Sequence, residues 1–198
     1  RITLRILLDD LDQLCRLDEQ GEALRLARTS ARFEVFSGWM NDFAGRGATA
    51  FLQRVTTGNV DRSVGTVTYC LLLGDDGGVR SDVTVARLGP EEFQIGANGP
   101  LDLDLLLREA PDGVAVRDVT AGTCCIGVWG PLARDVVLPL APDLADVRYF
   151  RGRRVHVGTV PVTALRLSYV GELGWELYTT ADMGRTLWDA LWDAGREY

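Results

Sequence analysis

Histidine is almost missing from this chain: His156 is the only one among 198 residues. Histidine-based zinc sites therefore lack donors, and a Ser-His-Asp triad would depend on one residue in an arginine-rich stretch that reads as a surface strand. Cysteine is scarce as well. Cys15, Cys70, Cys124 and Cys125 show no C-x-x-C spacing, and the adjacent pair, if in a strand, points to opposite faces, so neither a metal site nor a disulfide framework is expected. No run of about 18 apolar residues exists, and the opening R-I-T-L-R-I-L-L-D-D meets charge too early for a spanning helix or a signal peptide. The expectation is a cytoplasmic protein with no membrane contact. A formal charge of -7 provides no basic face to displace counterions, which argues against nucleic acid as a partner. Locally, Arg151, Arg153 and Arg154 could hold a small anion, or simply form a solvated strand edge. No G-x-G-x-x-G follows a strand and no G-x-x-x-x-G-K occurs, so nucleotide chemistry has no support.

What is present suffices for one core, or for two small subdomains that share one. Residues 9–28 carry Leu11, Leu14, Leu17, Leu24 and Ala27 at helical spacing, interrupted by Gly21, and predict one or two helices in an N-terminal segment over residues 1–30. A domain over 31–198 follows. A short strand around Phe33 and Val35 precedes a helix over 46–55. Strands at 66–73 and 79–88 flank the turn G-D-D-G-G, which lacks the further ligands of a calcium loop, and a third strand spans 92–97. This meander carries Asp82 in its middle strand, on the face opposite Val83 and Val85. Helix is expected at 101–108 and 132–138, strand at 114–119, 124–129, 154–157, 162–168 and 175–179. The last helix covers 181–194, with Gly195 as its cap. Hairpins interspersed with helices indicate an antiparallel or mixed α+β fold.

The stretch L-R-L-S-Y-V-G-E-L-G-W-E-L at 165–177 is the most informative. Gly171 and Gly174 permit conformations or close approaches that a side chain would block. Tyr169 and Trp175 offer flat surfaces, and Glu172 and Glu176 offer acceptors, parts that suit a flat heterocycle rich in N–H donors. Two strands around a glycine turn, with ordinary surface glutamates, would show the same composition.

Taken with F-L-Q-R-V-T-T-G-N-V at 51–60, V-T-Y at 67–69, G-G-V-R-S-D-V-T-V at 77–85 and V-W-G-P at 128–131, this stretch resembles the aminomethyltransferase family, the T-protein of the glycine cleavage system. The likeness is strongest to the branch fused to dimethylglycine and sarcosine dehydrogenases. It implies a folate-binding α+β domain with antiparallel or mixed sheets and packed helices, without the C-terminal β-barrel that usually follows. It also implies that Glu176 holds a pterin ring, that Tyr69 and Tyr169 line the same pocket, that Asp82 is the essential aspartate, and that Asn98 is a matched polar position. Glu172 belongs to the motif.

The activity implied is tetrahydrofolate-dependent one-carbon transfer from a small amine donor. Folate-dependent O- or S-demethylation is an alternative, as is a non-catalytic folate-binding module or a subunit of a flavin dehydrogenase assembly. A C-terminal-domain partner is a further possibility. Two departures bear on the donor. The family's usual F-D-V-S-H-M is F-E-V-F-S-G at 33–38, and the acidic residue that often precedes the essential aspartate is Ser81.

Overall fold

A computed structural model describes residues 32–36, 39–168 and 171–198. The N-terminal segment and Tyr169 lie outside the described residues. Among the described residues ten strands form two five-stranded sheets in which every pairing is antiparallel. The first sheet orders as β1 (Arg32–Phe36), β7 (Thr123–Trp129), β10 (Gly174–Thr180), β9 (Val160–Arg166) and β8 (Arg151–Val157). The second orders as β3 (Val67–Leu73), β4 (Val79–Gly89), β5 (Glu92–Ala97), β2 (Trp39–Ala44) and β6 (Ala115–Asp118). The expected α+β architecture is the one observed.

Each sheet covers its outer face with helices, as a sheet with one apolar face must. Ile126, Val128, Trp175 and Leu177 of the first sheet join Leu187 and Leu191 of α4 (Gly184–Gly195) and Val136 of α3 (Ala133–Val137) in one core. Val83, Val85, Phe93 and Ile95 of the second sheet pack on Phe51 and Leu52 of α1 (Ala48–Val55) and Leu106 of α2 (Pro100–Glu109) in another. The inner faces then meet each other. Val67 and Ala86 from one sheet, and Leu165 of β9 with Leu167 just beyond it from the other, form a small apolar seam between them.

Local chemistry explains several boundaries. The turn after β3 closes through Gly74 and Gly78 backbone bonds, and the Gly78 N–H donates to Asp76 Oδ1 at 3.0 Å, as expected of a hairpin. The 46–55 helix begins two residues late, because Gly45 and Gly47 are in left-handed conformations, φ 121° and 98°. Strand β2 carries no clear signal in the sequence, because Asn41 and Asp42 break its apolar pattern. Gly195 is not the cap of the last helix but its final residue, buried, with Arg196 as the cap. Gly174 is required by close approach: a Cβ there would sit 2.1 Å from the Val128 carbonyl oxygen. The arginine-rich strand is already partnered. Arg153 pairs with Asp146, Arg154 with Glu92, and Arg151 donates to Ser63, Thr66 and the Val64 carbonyl. His156 is exposed on it.

Candidate functional site

Where the inner faces diverge they leave a cavity of about 400 Å³. Period-two alternation decides which side chains reach it. On β4, Val83 and Val85 turn to the helices, so Asp82 and Thr84 turn to the cavity. Its sides from the second sheet include Gln94 and Gly96 of β5 and Asn98 just beyond it. The first sheet contributes Cys125 of β7, Leu165 of β9, and Glu176 and Tyr178 of β10. Asp82 therefore faces the cavity.

Asp82 is a carboxylate with both oxygens engaged. Asn98 Nδ2 donates to Oδ1 at 2.9 Å and the Tyr69 hydroxyl to Oδ2 at 3.1 Å. That bond to an anion holds the Tyr69 phenol above its ordinary pKa. Asn98 is fixed in turn by Asp102, buried in the first turn of α2, whose Oδ2 accepts the Asn98 backbone N–H at 3.0 Å and the Ser81 hydroxyl at 2.8 Å. Ser81 thus has a place: it links Asp102 to the Asn98 amide, which donates to it at 3.1 Å.

Glu176 is the opposite case. It is 3% exposed, and the buried Oε1 has no hydrogen-bond partner. Oε2 accepts the Tyr178 hydroxyl at 2.5 Å. Burial pushes the carboxyl up to about 7, against the lowering effect of that single bond. Tyr178 is raised further, first by burial, and its phenol also bonds the Cys125 thiol, its cross-strand neighbour in the β10–β7 register. Gln94 adds a second unpartnered group: its amide Nε2 is buried with no acceptor. An open acceptor and an open donor thus border one cavity.

The remaining expected residues fall elsewhere. Tyr69 is half exposed and stands at the rim, reaching the site through Asp82. Trp175, next to Glu176 in sequence, points to the other face of β10 and is fully buried in the core, with the Arg166 guanidinium 5.0 Å from its ring centroid. It packs and does not line the cavity. Glu172 is exposed in the turn before β10, away from the cavity lining. Gln94, Cys125 and Tyr178 were not singled out from the sequence, although parity along each strand could have found them. Among the described residues no group of three or more His, Cys, Asp or Glu could hold a metal ion, and no helix is long and apolar enough to cross a membrane.

The sequence model of the GCVT N-terminal domain matches residues 20–198. The chain belongs to this family. As a GCVT N-terminal domain it is 36% identical over 174 residues to the 4-methylaminobutanoate oxidase (formaldehyde-forming) of Paenarthrobacter nicotinovorans, covering 84% of this chain and 20% of that one. It is 30% identical over 192 residues to the aminomethyltransferase of Halalkalibacterium halodurans, covering 94% and 52%. The crystal structure of the glycine cleavage system aminomethyltransferase T from Bartonella henselae superposes with a TM-score of 0.74 at 20% identity, over 86% of this chain and 47% of that one, which shows the shared fold. The domain spans about half the length of the aminomethyltransferase and a fifth of the oxidase.

Proposed function

We propose that this domain binds tetrahydrofolate in the cavity between its sheets and takes part in one-carbon transfer from a small amine donor. The observation that carries the reading is the unpartnered Oε1 of Glu176, a carboxylate oxygen kept dry at the edge of a ligand-sized space. A buried acceptor without a donor is costly, and a reduced pterin offers adjacent N–H groups that would satisfy it. The open Gln94 amide suits a ring carbonyl on the same ligand, so the residues present fit the group. Bound folate would supply the nitrogens that accept the one-carbon unit.

The chain's own contribution is division of labour. Glu176 and Gln94 orient the ring, while Asp82, nearer to water and held in one rotamer by Asn98 and Tyr69, can accept a proton at either oxygen and stabilise cationic character that develops on the transferred carbon. Tyr169 remains part of this proposal as a stacking surface, on the motif alone. Trp175 and Glu172 have only indirect roles in it, the first by anchoring β10 and the second as part of the turn that leads into it.

Relatives that are much longer oxidases support a setting in which the one-carbon unit comes from an N-methyl amine oxidised by a flavin dehydrogenase, on the same chain or a partner. The test is a donor screen with tetrahydrofolate that follows methylene-tetrahydrofolate. Turnover with N-methyl amines supports the transfer, methoxy or sulfonium donors would redirect it to demethylation, and tight binding without turnover on any donor would make the domain a binding module.

A further inference from the structure

Glu176 has two oxygens in unlike positions. Oε2 already accepts from Tyr178 at 2.5 Å, and Oε1 faces the cavity with no partner. A proton taken up by the empty site is drawn to Oε1, because placing it on Oε2 would require the Tyr178 hydroxyl to turn away from that oxygen toward the Cys125 thiol. There it makes an O–H that points at the place where a ligand would present its own N–H. Two donors cannot share that contact.

We propose that Tyr178 is a positioning residue that makes ligand capture at Glu176 a proton-release step: an N–H-rich ring binds only as the Oε1 proton departs to solvent. The deepened claim rests on the folate reading for the identity of the ring. Its geometry does not. In balance, the carboxylic acid loses one proton to water, the ring N–H donates to the resulting carboxylate, and no bond of the ligand is made or broken.

The groups around Glu176 agree with this. From β7 comes the Cys125 thiol, bonded to the Tyr178 phenol and itself raised well above its ordinary pKa by burial. From β9 comes Leu165, opposite Glu176 in register. Asp82 and Gln94 line the same cavity from the second sheet. None of these is a cation. Arg166 lies over Trp175, on the far face of β10. Among the described residues no cation neighbours Glu176, and the Tyr178 phenol is the group that favours the ionised form, so the ligand must supply the rest. The position of titration near 7 puts the step within the neutral range.

Calorimetric titration of tetrahydrofolate into the protein, in buffers of different ionisation enthalpy, reads the proton count. The expected result at pH 7 is release of about half a proton per ligand, with affinity falling toward tenfold per pH unit as pH drops below 6 and flat above 8. In Tyr178→Phe the midpoint should move above 7 and the release at pH 7 should approach one proton. A Tyr178 that only packs would change affinity equally at every pH and leave the midpoint in place.

A ligand-free readout separates this from the folate reading. Carboxyl carbon NMR of the empty protein should show Glu176, assigned through Glu176→Gln, titrating near 7 and higher in Tyr178→Phe. A midpoint near 4.5, or proton uptake on binding, overturns the proposal. If tetrahydrofolate binds with no proton released and no pH dependence, the folate reading stands and this step falls. If the carboxyl titrates as stated and tetrahydrofolate does not bind, the step stands for another N–H donor and the folate reading falls.

Discussion

The two carboxylates of the cavity are built to opposite specifications. Asp82 sits partly in water with a donor on each oxygen, behind it a chain of contacts through Asn98, Ser81 and Asp102. Glu176 sits dry, with one oxygen engaged and the other empty. A satisfied carboxylate gains nothing from a ligand and is free to act on one. An unsatisfied carboxylate is destabilising until a ligand supplies its donors, which is how a folded protein stores specificity for an N–H-rich ring. The difference assigns chemistry to one end of the cavity and recognition to the other.

Removing charge at the chemical end should give the largest effect. Asp82→Asn keeps shape and hydrogen bonding to Asn98 or Tyr69 through its carbonyl oxygen but cannot take a proton. One-carbon transfer should fall by roughly 100-fold or more in kcat. Steady-state rates with the donor found by screening check this, and unchanged turnover would reduce Asp82 to a rim carboxylate.

The recognition end should reveal itself in stability rather than rate. Because folding raises the Glu176 pKa from 4.5 to about 7, the folded state holds its proton more tightly than the unfolded chain. Stability from this group is complete below about pH 4.5 and is lost as pH rises through 7, a change of about 3 kcal/mol. Glu176→Gln cannot ionise, so its unfolding free energy should lack that decline and exceed wild type by about 1–3 kcal/mol at pH 8. Urea melts between pH 5 and 8 measure both curves. Parallel curves would mean that Glu176 is not penalised by burial.

Smaller effects should follow from loosening the support of Asp82. Asn98→Ala removes the amide that bridges Asp82 and Ser81, and kcat should drop about tenfold with little change in folate affinity. Tyr69→Phe removes one rim donor and should cost only a few-fold. If either variant weakened binding more than turnover, Asp82 would belong to the recognition end after all.

Much of this contrast was legible in the sequence, for identifiable reasons. Asp82 stood out because a carboxylate beside Val83 in a β-branched strand is costly if it faces inward, and Glu176 because it sits in a glycine-spaced motif. Hairpin turns at 74–78 and strand 92–97 were equally clear, since glycine and alternation are local signals. Trp175 shows the limit of adjacency: it shares the motif with Glu176, yet period two puts it on the opposite face, in the core. The same rule, counted two residues on, leads to Tyr178. Strand β2 was hidden because Asn41 is polar yet buried, with amide atoms that lack partners. The meeting of the two inner faces could not be read locally, because it joins Gln94 to Cys125 and Glu176 across separate sheets.

The most direct test of the division between the two ends is tetrahydrofolate binding by calorimetry to wild type, Glu176→Gln and Asp82→Asn under one set of conditions at pH 8. The account predicts a loss of about 100-fold or more for Glu176→Gln, from a missing charge-assisted acceptor, and a change within a few-fold for Asp82→Asn. Retained affinity in Glu176→Gln, or a loss in Asp82→Asn that matches or exceeds it, would contradict the account.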